Sequence, residues 1–139
     1  MVWIILFLHA ASFFPTMDIL FTDALKLRRP NAFNVMVKPT GPICNLNCTY
    51  CYYLEKQKLF PVKNDFRMPE DLLEIFIKQY IRAQQVPVVT FTWQGGEPTL
   101  LGLDYFIKVI ELQKKYSEGK TIENAFQTNG TRINDEWCK

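Results

Sequence analysis

The sequence predicts an α/β fold built on a parallel sheet, and three observations carry that expectation. Strand-like and helical segments alternate along the chain. Consecutive strands are separated by helix-length stretches, as right-handed crossover connections require. Each of the three strands runs at its carboxyl end into a segment of chemical interest: cysteines after the first, Gly-Gly-Glu-Pro after the second and Gln-Thr-Asn-Gly after the third.

The first strand is read at Phe33–Lys38 (FNVMVK), where residues alternate outward and inward until Pro39-Thr40-Gly41-Pro42 stops them. Cys44 to about Pro61 follows as a long loop, or a loop with a helix in it, ending in the polar Lys63-Asn64-Asp65. A helix is expected from Pro69 to Ala83. Pro69 suits its first turn, Glu70 and Asp71 suit the positive end of its dipole, and Leu72, Leu73, Phe76, Ile77 and Tyr80 recur at helical spacing. Val86–Trp93 (VPVVTFTW) is dense in β-branched and aromatic residues and reads as a buried second strand with a sharp exit at Gly95-Gly96. Tyr105, Phe106, Val109, Ile110 and Gln113 mark a second helix, closed by Gly119 after Tyr116. Thr121–Gln127 is the third strand, and Asn134 is placed to cap a third helix. A three-stranded parallel sheet that stops as its next helix begins has an uncovered edge, so the chain reads as cut short.

With 139 residues, 48% hydrophobic and 14% aromatic, the chain can build a core, which excludes disorder over most of its length. A net charge of +2 is far from the basic surface of a general nucleic-acid binder, and no nucleic-acid partner is expected. The apolar opening Met1–Phe14 falls short of the roughly 20 residues a spanning helix needs, so no membrane anchor is expected. It also has no positive charge ahead of its apolar run and only a loose cleavage match at Ala10-Ala11-Ser12. Residues 1–30 are therefore taken as an apolar N-terminal extension. A secretion signal and a true start at Met17 are the alternatives. The lone histidine, His9, is given no role.

Cys44, Cys48 and Cys51 place three thiols within eight residues, with Cys138 far away near the end. Such crowding is unlike a spaced disulfide framework and reads first as a metal site. One short loop with three thiolates suits a [4Fe-4S] cluster, whose four irons normally take four cysteines, so one iron would stay open to a ligand. A zinc site with Cys138 as fourth ligand, a disulfide with spare thiols, and plain structural cysteines are the alternatives. Gln94-Gly95-Gly96-Glu97-Pro98 lies where parallel α/β folds collect their binding residues, and its glycines let backbone come close to a ligand. Taken alone it reads first as a strand-to-helix turn begun by Pro98. Gln127-Thr128-Asn129-Gly130 occupies the equivalent end of the third strand, and its Asn-Gly pair is a common turn.

Together these residues resemble the radical S-adenosylmethionine superfamily. The cysteine motif with an aromatic residue, Tyr50, just before its last cysteine carries the superfamily likeness. The stretches VKPTGPICNLNCTYCYYLEK, FTWQGGEPTLLGL and QTNGTRI are similar to its anaerobic sulfatase-maturing enzymes. The likeness runs from about Asn31 to the end, and residues 31–139 then correspond to the first half of a partial (β/α)6 barrel with crossover helices.

The resemblance implies that Cys44, Cys48 and Cys51 hold a [4Fe-4S] cluster whose open iron chelates S-adenosylmethionine. An electron from the cluster would break a carbon–sulfur bond of that cofactor, the resulting 5′-deoxyadenosyl radical would remove a hydrogen from Cβ of a cysteine or serine of a sulfatase polypeptide, and a second oxidation would give Cα-formylglycine. Gly95, Gly96 and Glu97 would line the methionine amino group, Tyr50 the adenine, and Gln127 and Asn129 the pocket. Tyr53 and Gln94 would face the substrate peptide. Tyr52 and Trp93 are read as core rather than pocket wall. The family's proposed base and its two auxiliary clusters are expected downstream of Lys139, so no catalytic base is expected within this chain. Cys138 matches no ligand of the pattern. An intracellular electron donor and a cytoplasmic location follow from the same likeness, since iron–sulfur assembly is intracellular.

Overall fold

The computed structural model describes residues 32–60 and 66–139; the apolar segment 1–30, with His9 and Met17, and the polar Lys63-Asn64-Asp65 lie outside the described residues. The sheet has three parallel strands in the order β1 (Met36–Val37), β2 (Val88–Trp93) and β3 (Thr121–Phe126). Helix α1 (Glu70–Ala83) connects β1 to β2, and helix α2 (Leu103–Tyr116) connects β2 to β3. Val88 stands opposite Thr121 and Trp93 opposite Phe126, while Val37 pairs with Trp93 on the other side. The expected parallel α/β order is the observed one.

Both helices use the same apolar spacing. In α1 the buried residues are Leu73, Ile77, Tyr80 and Ile81, and in α2 they are Tyr105, Val109, Leu112 and Gln113, each set repeating at i, i+4, i+7 and i+8. Against them β2 turns Val89, Phe91 and Trp93, leaving Thr90 and Thr92 half-buried on its other face. Gln113 holds a core position because its amide is fully engaged. It exchanges two hydrogen bonds of 2.9 Å with the amide of Asn124 on β3, and the Trp93 indole donates to the same Asn124 oxygen at 2.7 Å. The Lys120 ammonium donates to the carbonyls of Ile81 at 2.6 Å and Gln84 at 2.9 Å, setting a cation on the open carbonyls where α1 ends.

The element ends differ from the sequence expectation for identifiable reasons. Phe33 leaves the expected first strand because side chains of the α1 region take its backbone. Gln84 accepts from its N–H at 3.3 Å and donates to its carbonyl at 2.6 Å, and the Tyr80 hydroxyl lies 3.0 Å from that carbonyl. Proline has no N–H to give to a ladder, so β2 begins at Val88, after Pro87. Pro69 is the residue before α1 rather than its first. Asn134 caps a turn, its side-chain oxygen accepting from the N–H of Glu136 at 3.1 Å and of Trp137 at 3.4 Å, and no regular helix forms over 134–139.

Among the described residues β3 has no strand on its far side. An apolar hollow of about 140 Å³ lies between α2 and the sheet, lined by Trp93, Phe106, Val109, Phe126 and Trp137 among others. No described helix is long and apolar enough to cross a membrane.

Ile77 is fully buried while Ile75, two residues away on the same helix, is 50% exposed. Ile77→Val should therefore lower the unfolding free energy by about 0.5–1.5 kcal/mol in urea denaturation. Ile75→Val should stay within about 0.5 kcal/mol of the wild type. Equal effects at both positions would contradict the orientation of α1.

Candidate functional site

The site is assembled at the carboxyl edge of the sheet, where backbone joins backbone. After β1 the chain turns at Lys38–Gly41, with the Gly41 N–H donating to the Lys38 carbonyl at 3.0 Å and the Ile43 N–H to the Thr40 carbonyl at 3.2 Å. The segment after β2 then runs directly against this turn. Gln94 N–H donates to the Val37 carbonyl, Gly96 N–H to Gly41 and Glu97 N–H to Ile43, each at 2.8 Å. A Cβ on Gly96 would lie 1.8 Å from the Ile43 carbonyl oxygen, so this position has room for no side chain. Gly95 adopts φ +141°, and a Cβ there would lie 2.9 Å from the Gly41 carbonyl oxygen. The cysteine loop thus leaves a point clasped by the Gly-Gly-Glu backbone.

All four cysteines are free thiols. Cys48 and Cys51 flank a turn closed by the Cys51 N–H donating to the Cys48 carbonyl at 3.0 Å. Tyr50, within that turn, is 88% exposed. Its hydrogen bond with the Cys48 side chain, first of all, pushes its phenol up. Cys44 Sγ accepts from the Leu46 N–H at 3.4 Å and from the Asn129 side-chain amide at 3.7 Å. These are the donors that metal-ligating sulfurs commonly receive from their surroundings. The donor set therefore fits an iron–sulfur cluster in its chemistry. The described residues supply the donors and not a finished cage, for no three Cys, His, Asp or Glu side chains gather as a metal-holding group, and Cys138 joins none.

Glu97 is 1% exposed, and both its carboxylate oxygens are engaged. Oε1 accepts from the Thr99 N–H at 3.0 Å, the Thr99 hydroxyl at 2.6 Å and the Thr128 hydroxyl at 2.7 Å, while Oε2 accepts from the Asn129 N–H at 2.7 Å. Burial pushes this carboxyl up. The hydrogen bonds from Asn129, Thr99 and Thr128 together outweigh that and hold it below the usual carboxylate range. Glu97 thereby locks the end of β3 onto the end of β2. Asn129 carries the connection on to the cysteine loop: its amide donates to Asn45 Oδ1 at 2.9 Å, and the Asn45 amide donates to the Thr131 hydroxyl at 2.8 Å.

Gln94 and Gln127, at the equivalent ends of β2 and β3, are hydrogen-bonded to each other, Nε2 of Gln94 donating to Oε1 of Gln127. Tyr53 is half-buried, and burial, with the neighbouring Tyr52, pushes its phenol up. Trp93 is core as expected, but Tyr52 is 74% exposed, which corrects the core reading for that ring. Sequence reasoning missed Lys38, Asn45, Thr128 and Thr131. Their signal is only their place beside the motifs, since each acts through a partner distant in the chain.

Residues 39–139 match the family model of the Radical SAM superfamily. The chain belongs to that superfamily. Among curated proteins, this radical SAM chain is 53% identical over 105 residues to the serine-type anaerobic sulfatase-maturating enzyme of Bacteroides thetaiotaomicron, covering 76% of itself and 25% of that protein. It is 39% identical over 107 residues to the cysteine-type anaerobic sulfatase-maturating enzyme of Clostridium perfringens, covering 76% of itself and 29% of the relative. The solved structure of native anSMEcpe with bound AdoMet and Kp18Cys peptide is similar in fold. Its TM-score is 0.64 at 39% identity, over 75% of this chain and 27% of that one. The chain thus spans about a quarter of the length of the relatives it matches.

Gly96→Ala should cost about 1–3 kcal/mol or more, because the new Cβ has a carbonyl in its place. Urea denaturation reads the loss, and a variant as stable as the wild type would contradict the close approach. Because the folded-state pKa of Glu97 is depressed, its stabilisation is present above the unfolded carboxyl pKa of about 4.3 and is lost as pH falls through the folded value. The stability gap between wild type and Glu97→Gln should therefore be full at pH 7 and shrink steadily below about pH 4. A gap independent of pH would show that the carboxylate charge is not what holds the loops.

Proposed function

We propose that this chain is the cluster-binding front portion of an anaerobic sulfatase-maturating enzyme, which oxidises a cysteine or serine of a sulfatase to Cα-formylglycine. Residues 31–139 are its share of the radical SAM core. The observation that carries the reading is the clasp: a Cys-x3-Cys-x2-Cys loop held by backbone against Gly95–Glu97, at the edge where parallel α/β folds bind ligands. Likeness to maturating enzymes of both the serine and cysteine types supports the substrate class.

In this reading Cys44, Cys48 and Cys51 hold a [4Fe-4S] cluster, and Tyr50, Gly95, Gly96, Glu97, Gln127 and Asn129 surround S-adenosylmethionine. When bound, these two groups supply the electron and the radical that take a hydrogen from Cβ of the target residue. The chain's own part is placement. The unsubstituted Gly95-Gly96 backbone lets the base of the cysteine loop pack directly against it, and Glu97 keeps the loops after β2 and β3 at a fixed separation. Tyr53 and Gln94 orient the sulfatase polypeptide. An intracellular electron donor serves the enzyme, and the cytoplasm is its place because cluster assembly occurs there.

Anaerobic reconstitution with iron and sulfide should give roughly four irons per chain with thiolate-to-iron absorption. Replacing Cys44, Cys48 or Cys51 by alanine should each remove most of it, and Cys138→Ala should not. Zinc in place of iron, or equal dependence on Cys138, would overturn the cluster assignment.

A further inference from the structure

Lys38 leaves β1 at the edge from which Gln94 and Gln127 leave β2 and β3, and the reading above gives it no part. Its Nζ donates to Gln94 Oε1 at 2.8 Å and stands 4.1 Å from the centre of the Tyr53 ring. One half-buried lysine therefore touches both residues assigned to the substrate. An ammonium can only donate, so Gln94 must turn its oxygen toward Lys38. Its Nε2 then points away and donates to Oε1 of Gln127. That bond turns Gln127 in the same sense, and among the described residues no acceptor takes its Nε2. Reversing either amide would set donor against donor. The three side chains form a row polarised from one end, with amide N–H presented at the other.

We propose that Lys38 is a positioning residue that fixes the orientation of Gln94 and Gln127 and seats Tyr53, so that the row offers a donor to a backbone carbonyl of the substrate polypeptide. A lysine already engaged by an amide oxygen and an aromatic face is suited to orienting its neighbours rather than to capturing an acidic side chain. The nature of the ligand rests on the proposed function; the orientation of the amides rests on the contacts alone.

The test uses the full chain with Lys38→Met, which keeps length and removes the donors, and Lys38→Arg, which restores them. Solvent exchange of the Gln94 side-chain amide, followed by NMR on the iron-free chain, should be slowed in the wild type, fast in Lys38→Met and slowed again in Lys38→Arg. Calorimetry on the anaerobically reconstituted chain should show a roughly tenfold loss of affinity for a sulfatase-derived peptide in Lys38→Met, as expected for one lost hydrogen bond, and its recovery in Lys38→Arg. An unchanged Gln94 amide in Lys38→Met overturns the inference whatever the peptide does. A released amide with unchanged peptide affinity also overturns it. A wild-type chain that binds no peptide, with the amide still released in Lys38→Met, contradicts the proposed function and supports the orientation by Lys38.

Discussion

The site depends on two backbone hydrogen bonds, from the N–H groups of Gly96 and Glu97 to the carbonyls of Gly41 and Ile43. They continue the contact between β1 and β2 past the end of the regular ladder, into the turn from which the cysteine loop departs. They can form only because Gly96 has no Cβ, the carbonyl of Ile43 lying where one would be. A parallel ladder needs only extended backbone. This approach needs a particular residue at a particular place, which is a far narrower constraint on sequence.

Once the clasp is made, the remaining polar groups at the edge have few choices. Glu97 follows Gly96 directly and is carried beneath the loop into a nearly dry position, where an unpaired carboxylate would be costly. Four donors meet it, two of them from the segment after β3. The third strand end is thereby tied to the second, and Asn129 ties it in turn to Asn45 and Cys44. Two separate polar chains result. One runs through Glu97 and Asn129 to the first cysteine; the other runs through Lys38, Gln94 and Gln127 along the outer edge. The first stabilises the place of a sulfur, the second the direction of two amides.

How much of this was legible in the sequence depends on the range of each interaction. The helices were legible because burial repeats locally: Leu73, Ile77 and Tyr80 declare a face without reference to anything else. The parallel sense of the strands follows from the alternation of elements. The first strand was read too long, since the loss of Phe33 to side chains of Gln84 and Tyr80 is decided about fifty residues away. Gly95, Gly96 and the three cysteines stood out as residue types whose chemistry is unusual. Lys38, Asn45 and Thr128 did not, because a lysine, an asparagine or a threonine beside a turn is ordinary until its distant partner is in place. Glu97 was legible as a site residue, but not as the bolt between two loops. Tyr52 misled because an aromatic residue beside a motif carries no period that would set its face.

The most direct test of the clasp is amide hydrogen exchange at Gly96 and Glu97, followed residue by residue in the wild-type chain. If these two bonds hold the cysteine loop, both amides exchange as slowly as those of Phe91 and Trp93 in the central strand, although they lie beyond the last ladder pair. Exchange at the rate of an open loop, with Phe91 and Trp93 still protected, would mean that the sheet forms without the clasp and that the cysteines are not held by it.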